Sequence, residues 1–216
     1  LTRQEMSRPI AAAPYSLNRL NKAKELADME IEVLSSKSDR PALLLYCMDS
    51  RDYSTIETVR GYGWFTTDQI EWLRNSCMAR TEANGGISVP SLAFFHICLQ
   101  EYAQAWNNPK NSRKGKRAED ECPGALNTGM FAAMVESGSV MGTFVGHDHD
   151  NDYVVAEKGI ALGYGRFSGD DSTYNNLRPG ARIIVVEEGQ RCFESWILED
   201  DGRIAHRMKF SNGKIE

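Results

Sequence analysis

The sequence predicts an α/β chain whose sheet finishes antiparallel, and three observations carry that class. Short unbroken apolar runs recur at 41–48, 91–97 and 140–145, the pattern of strands buried on both faces. Helical segments with recognisable ends lie between them. After residue 150 the texture changes to brief strands divided by turn residues, so the order is strand, helix, strand, helix, strand, then a meander.

The first run, Pro41 to Met48, reads Pro-Ala-Leu-Leu-Leu-Tyr-Cys-Met, and Ser91 to Ile97 and Val140 to Val145 repeat its character. Between the first two, Thr66 stands as an N-cap with Gln69 three residues on, and Phe65 and Ile70 form the staple pair. Ile70, Leu73 and Cys77 then mark one helical face. Arg80 to Gly86 is polar and glycine-rich and reads as a loop. A second helix is expected over Thr128 to Ser137, with Met130 and Met134 inward and Gly138 as its C-terminal stop. Beyond it, strands are expected at 153–157, 160–164, 181–186, 192–198 and 204–210, with Asp201-Gly202 as a hairpin turn.

With 216 residues and no break in composition, residues 1–216 make one domain. A formal charge of −5 argues against nucleic acid or an acidic membrane as the main partner. No segment approaches the roughly 20 apolar residues of a membrane helix, so a soluble protein without a membrane span is expected. The five cysteines are widely spaced with no Cys-x-x-Cys pair, which suits small core residues better than a zinc ribbon. The chain starts at Leu1 without the basic-then-apolar pattern of a signal peptide. Its true N-terminus is therefore expected elsewhere, and no compartment is assigned.

Chemistry concentrates at Phe144-Val145-Gly146-His147-Asp148-His149-Asp150-Asn151-Asp152-Tyr153. Two imidazoles follow directly on an apolar strand, with carboxylates beside them to orient the rings, the pattern of a metal-binding loop at a strand end. The bland alternative is a solvated acidic turn. Upstream, residues 107–124 form a long loop carrying Lys110, Arg113, Lys114, Lys116 and Arg117, then Glu119, Asp120 and Glu121. Such a run is usually a solvated face, but it lies between His96 and the His147 pair, where a phosphate-bearing substrate would meet it. His206, in the alternation Ile204, His206, Met208, Phe210, reads as a hydrogen-bonded histidine on a sheet face.

These landmarks resemble the calcineurin-like metallophosphoesterases, and within them the phosphohydrolases whose last motif is Gly-His-Asp-His followed by Asn-Asp-Tyr. The likeness runs through residues 44–50 with Tyr53-Ser54, then Gly61-Tyr62-Gly63-Trp64 with residues 68–72. It continues through Phe94-Phe95-His96-Ile97 with Glu101-Tyr102 and Gly146-His147-Asp148-His149. Arg166, Gly169, Tyr174, Gly180-Ala181-Arg182 and Trp196-Ile197 close it.

The resemblance implies a β-sandwich flanked by helices, with two metal ions (manganese, iron or zinc) that bind a phosphate ester and activate water for attack on phosphorus. It implies His96 and His147 as ligands of one ion and His149 of the other, with Glu101, Tyr102 and Asp49 lining the substrate pocket. The same resemblance exposes a gap. The family's Asp-x-His, Gly-Asp-x-x-Asp and Gly-Asn-His motifs are absent from these 216 residues. The chain therefore reads as the C-terminal half of the family's domain, a partial site inactive alone. The alternative is a noncatalytic truncated module for binding or assembly. Without the other half, the apolar faces at Leu43 to Tyr46 and Phe94 to Ile97 would stand uncovered, and a homo-oligomer would hide them.

Overall fold

A computed structural model describes residues 1–169, 173 and 177–216. Its elements in chain order are α1 (Arg3–Ala12), β1 (Met29–Leu34), β2 (Pro41–Cys47), α2 (Thr67–Ala83), β3 (Ser91–Phe94), α3 (Glu101–Asn107), β4 (Arg113–Lys114) and α4 (Met130–Ser137). They continue with β5 (Val140–Val145), β6 (Val154–Glu157), β7 (Ile160–Tyr164), β8 (Gly180–Val186), β9 (Cys192–Glu199), β10 (Ile204–Ser211) and β11 (Lys214–Ile215). Seven strands form one mixed sheet in the order β1-β2-β3-β5-β7-β6-β4, and four form an antiparallel sheet in the order β11-β10-β9-β8. The strands β2, β3, β5 and β7 run parallel, so their carboxyl ends share one edge of the molecule.

The apolar runs explain the layering. Along β2, Leu44 and Tyr46 turn to one face, and with Leu73, Cys77, Met130 and Met134 they make a core between the large sheet and the helices α2 and α4. On the opposite face Leu92, Met141, Phe144 and Ala161 meet Phe193, Met208 and Phe210 from the meander. Burial on both faces is what an unbroken apolar strand requires. The result is helices, large sheet and small sheet in three layers, the sandwich with flanking helices expected from the sequence. The meander differs in one respect: it forms its own sheet instead of extending the parallel one, while β6 and β7 stay with the large sheet.

The second core also corrects the expectation of uncovered faces. Leu44 and Tyr46 are fully buried beneath the helices, and Phe95 and Ile97 are buried as well. Only Leu43, Leu45 and Phe94, on the side facing the meander, remain half-buried.

Local signals hold at both helices. Thr66 accepts from the Gln69 N–H while the Gln69 side chain accepts from the Thr66 N–H, closing the capping box of α2. Gly138 ends α4 at φ +61°, a backbone conformation costly for other residues. The glycine-rich loop begins later than expected, because α2 runs on to Ala83 and takes in Arg80, which pairs with Glu30 and Glu32 of β1. Sequence reading missed α1, β1 and α3. The strand β1 is marked by acidic residues rather than an apolar run, and its pairing to β2 supplies what its composition does not.

Candidate metal centre

The site lies where β2, β3 and β5 end. His96 follows β3 by two residues and His147 follows β5 by two, so the parallel alignment of neighbouring strands brings them together across 51 residues. His147 Nδ1 and His96 Nε2 stand 3.1 Å apart. Ser50, just past β2, holds the first of them: its Oγ accepts from the N–H groups of His96 at 3.2 Å and Ile97 at 2.8 Å. Tyr62 packs edge-on against the His147 ring at 4.5 Å and stacks on Tyr53. Desolvation at the strand end, and then the neighbouring imidazoles of His147 and His149, hold His96 below the usual histidine range. Its ring is therefore neutral at pH 7, with a lone pair available to a Lewis acid.

The carboxylate and amide side chains within and after the His-Asp-His run do a different job. Asp148, Asp150, Asn151 and Asp152 are buried, the last three completely, which rules out a solvated acidic turn. Asp148 accepts from the Tyr164 hydroxyl and from the Cys122 N–H, with the Cys98 thiol 3.8 Å away. Burial pushes that thiol well above its ordinary value. Asn151 Oδ1 accepts from the N–H groups of Ala118 and Glu119. Asp152 accepts from the Lys116 N–H at 2.7 Å and pairs with the buried Arg166. Arg182 donates to the Asp152 carbonyl. Burial pushes the Arg182 guanidinium down to about 10, against the pull of Asp152, so it stays charged at neutral pH.

The long loop before α4 is what these carboxylates bind. Its glycine, Gly115 (φ +107°), passes so near the next segment that a Cβ would come within 2.6 Å of Tyr153 Cα. Arg117 is taken by Asp120 and Glu121, which leaves it committed within the loop instead of facing a phosphate. His206 sits on a bulge of β10 at φ +53° with Nε2 3.5 Å from Asp152 Oδ2, the sheet-face histidine expected.

Three residues expected to line a substrate pocket fall in three environments. Glu101 opens α3, accepts from Asn127 Nδ2 at 2.7 Å and borders a hollow with Trp64 and Gln100. The Asp49 carboxylate is engaged by Arg3 and by the N–H of Arg51. Tyr102 corrects the expectation: it is fully buried, its hydroxyl 2.7 Å from Thr143 Oγ1 and its ring against Tyr164, so it belongs to the core and not to a pocket wall. Tyr174, quoted in the resemblance, lies outside the described residues. Ser50 and the buried aspartates were missed as site builders. For the aspartates the signal was the density of short carboxylate and amide side chains right after a strand, where they can bind the backbone of a neighbouring loop; Ser50 carried none.

The residues fit a metal only in part. The His96–His147 pair offers two imidazole donors to one ion. Among the described residues, no group of three histidine, cysteine or carboxylate side chains is placed to hold a metal, whereas zinc-type sites take about four ligands. The exposed His149 belongs to no such group. A two-metal centre therefore does not fit the described residues.

No family model matches the chain. It is 30% identical over 214 residues to the probable inactive purple acid phosphatase 29 of Arabidopsis thaliana, covering 90% of this chain and 54% of that protein. With the probable inactive purple acid phosphatase 28 of the same plant it shares 29% over 166 residues, covering 73% of this chain and 41% of the other. A dimetal phosphatase from Danio rerio aligns in structure with TM-score 0.45 and 14% identity, over 87% of this chain and 59% of that one. That structural likeness is too loose to bear weight. The sequence similarity to the purple acid phosphatases supports the resemblance to the calcineurin-like metallophosphoesterases. It spans about half the length of the curated relatives it matches. No described helix is long and apolar enough to cross a membrane.

Proposed function

We propose that this chain supplies the histidine side of a metal-dependent phosphoric-ester hydrolase site and is inactive by itself. The observation that carries the reading is the His96–His147 pair, 3.1 Å apart at the ends of adjacent parallel strands, with no third donor grouped to it among the described residues. Bound metal in this superfamily would supply Lewis acidity and a water-derived nucleophile. The chain's own part is to present two imidazoles at the ends of adjacent parallel strands. Manganese, iron and zinc are all compatible with imidazole, and the substrate class is a phosphate ester whose leaving group the fold does not specify.

A noncatalytic module is the second reading, favoured by the lack of a third donor among the described residues and by relatives that are themselves named probable inactive phosphatases. Metal analysis after loading with manganese or zinc, followed by a p-nitrophenyl phosphate assay, separates the two. The first reading expects one ion per chain, lost in His96→Ala and in His147→Ala and retained in His149→Ala, with no turnover. Two tightly held ions with turnover would overturn the partial site. No metal at all would favour the noncatalytic module.

A further inference from the structure

We infer that Ser50 is the positioning residue of the candidate centre: its hydroxyl stands in for a rung of the β2–β3 ladder and thereby sets where the His96 ring meets His147. The rungs before it show the role. Leu44 donates to the Pro90 carbonyl and Met48 to the Phe94 carbonyl, on a register that pairs Leu44 with Ser91 and Cys47 with Phe94. In a parallel ladder each such residue also accepts, from the residue two places beyond the one it donates to. The next donor toward β2 is therefore the His96 N–H, and its regular acceptor would be the Met48 carbonyl. That N–H goes instead to Ser50 Oγ at 3.2 Å, and the following one, of Ile97, reaches the same oxygen at 2.8 Å.

The chain around Ser50 is built for this substitution. Arg51 sits at φ +71°, a left-handed conformation that few non-glycine residues take, and bends the chain directly after Ser50. Two bonds fix the residue before it. The Asp49 N–H donates to Asp28 Oδ1 at 2.7 Å, and Gln69 Nε2, from the α2 cap, donates to the Asp49 carbonyl at 2.8 Å. With Asp49 held and the backbone turning away, the buried Ser50 supplies from its side chain the acceptor that the departing main chain does not.

His96 is tied on its other side as well. Its carbonyl accepts at 3.2 Å from the N–H of Gly146, the residue before His147. A run of bonds thus leads from the α2 cap through Asp49, Ser50 and His96 to Gly146, and the two imidazoles, with centroids 5.0 Å apart, stand at its end. Every bond in the run joins described residues to one another. Without the Ser50 hydroxyl the buried Ile97 N–H loses its acceptor. An unmet buried donor costs more than a bond is worth, so the backbone shifts to find another acceptor and carries His96 with it.

The consequence for a metal rests on the proposed function, whereas the ring geometry does not, so two readouts on the 216-residue chain keep them apart. One is the nuclear Overhauser effect between the His96 and His147 rings in the metal-free protein; the other is affinity for Co2+ by visible absorption. The wild type is expected to show the ring contact and to bind one Co2+. Ser50→Ala should abolish the contact and weaken Co2+ binding at least about tenfold, the usual scale for a group that orients a metal-ligating histidine. Ser50→Thr keeps the hydroxyl and should retain both. Ser91→Ala measures a purely structural loss: Ser91 is completely buried at the other end of β3, its Oγ 3.2 Å from Ser139 Oγ. That variant should lower the urea midpoint and leave ring contact and affinity unchanged. Should Ser50→Ala fail to fold, Ser50→Val against Ser50→Thr makes the same comparison at matched shape. A wild type without the ring contact, a contact that persists once the hydroxyl is gone, or one lost equally in Ser91→Ala would overturn the inference. A wild type that shows the contact but binds no Co2+ would overturn the metal reading alone, and the ring contact in the variants would still decide the role of Ser50.

Discussion

Asp152 is the residue on which the loop beneath the imidazoles most depends. It is completely buried and joins Lys116, Arg166 and His206 through its carboxylate and Arg182 through its carbonyl. Removing one partner of a buried pair leaves the other charged and desolvated. Asp152→Ala should lower unfolding free energy by about 3 to 5 kcal/mol in urea titration, and a loss under about 1 kcal/mol would show that Arg166 finds another partner. Glu121 sets a pH dependence. Burial raises its carboxyl, but the bonds from Arg117 and Tyr153 outweigh burial and leave it below its ordinary 4.5. A carboxyl depressed in the folded state contributes stability above its unfolded value and loses it as pH falls through the folded value. The urea midpoint should therefore drop as pH falls below 4.5, and Glu121→Gln should flatten that part of the profile.

At the scale of elements, the best-signalled helix is also the best tied. Gln69 completes the α2 capping box and also donates from Nε2 to Asp28 and to the Asp49 carbonyl. Thr66→Ala should cost about 1 kcal/mol, the usual worth of a cap. Gln69→Ala should cost more, because it strips partners from the part-buried Asp28 as well; equal losses would mean those added bonds are idle. The cap was legible because its chemistry is local, written within four residues. Equally local were the turn at Asp201-Gly202 and the glycine stop of α4. The strand β1 was illegible for the opposite reason: Met-Glu-Ile-Glu-Val-Leu is a strand because β2 offers it a ladder and Arg80 neutralises its carboxylates.

For the whole molecule, the joint between the two sheets turns on aromatic rings. Phe193 stacks on Phe210 at 5.2 Å and meets Phe144 edge-on at 5.8 Å, wholly buried. Phe193→Ala should destabilise the fold by about 3 to 5 kcal/mol, with hydrogen exchange rising across β8 to β11. A local loss confined to β9 would show that the meander is held by its edges and not by this joint.

The sequence by itself determined the α/β class, the helices α2 and α4, most strands and the two histidine positions, because each rests on periodicity or chemistry confined to neighbouring residues. Only the tertiary structure decided that the meander is a separate sheet and that Tyr102 is core. It also decided that the aspartates beside the histidines are buried supports, and that among the described residues no third donor is grouped with His96 and His147. Those outcomes depend on which strands lie side by side and on what each strand end faces, and pairings between residues tens of positions apart leave no mark on the local pattern.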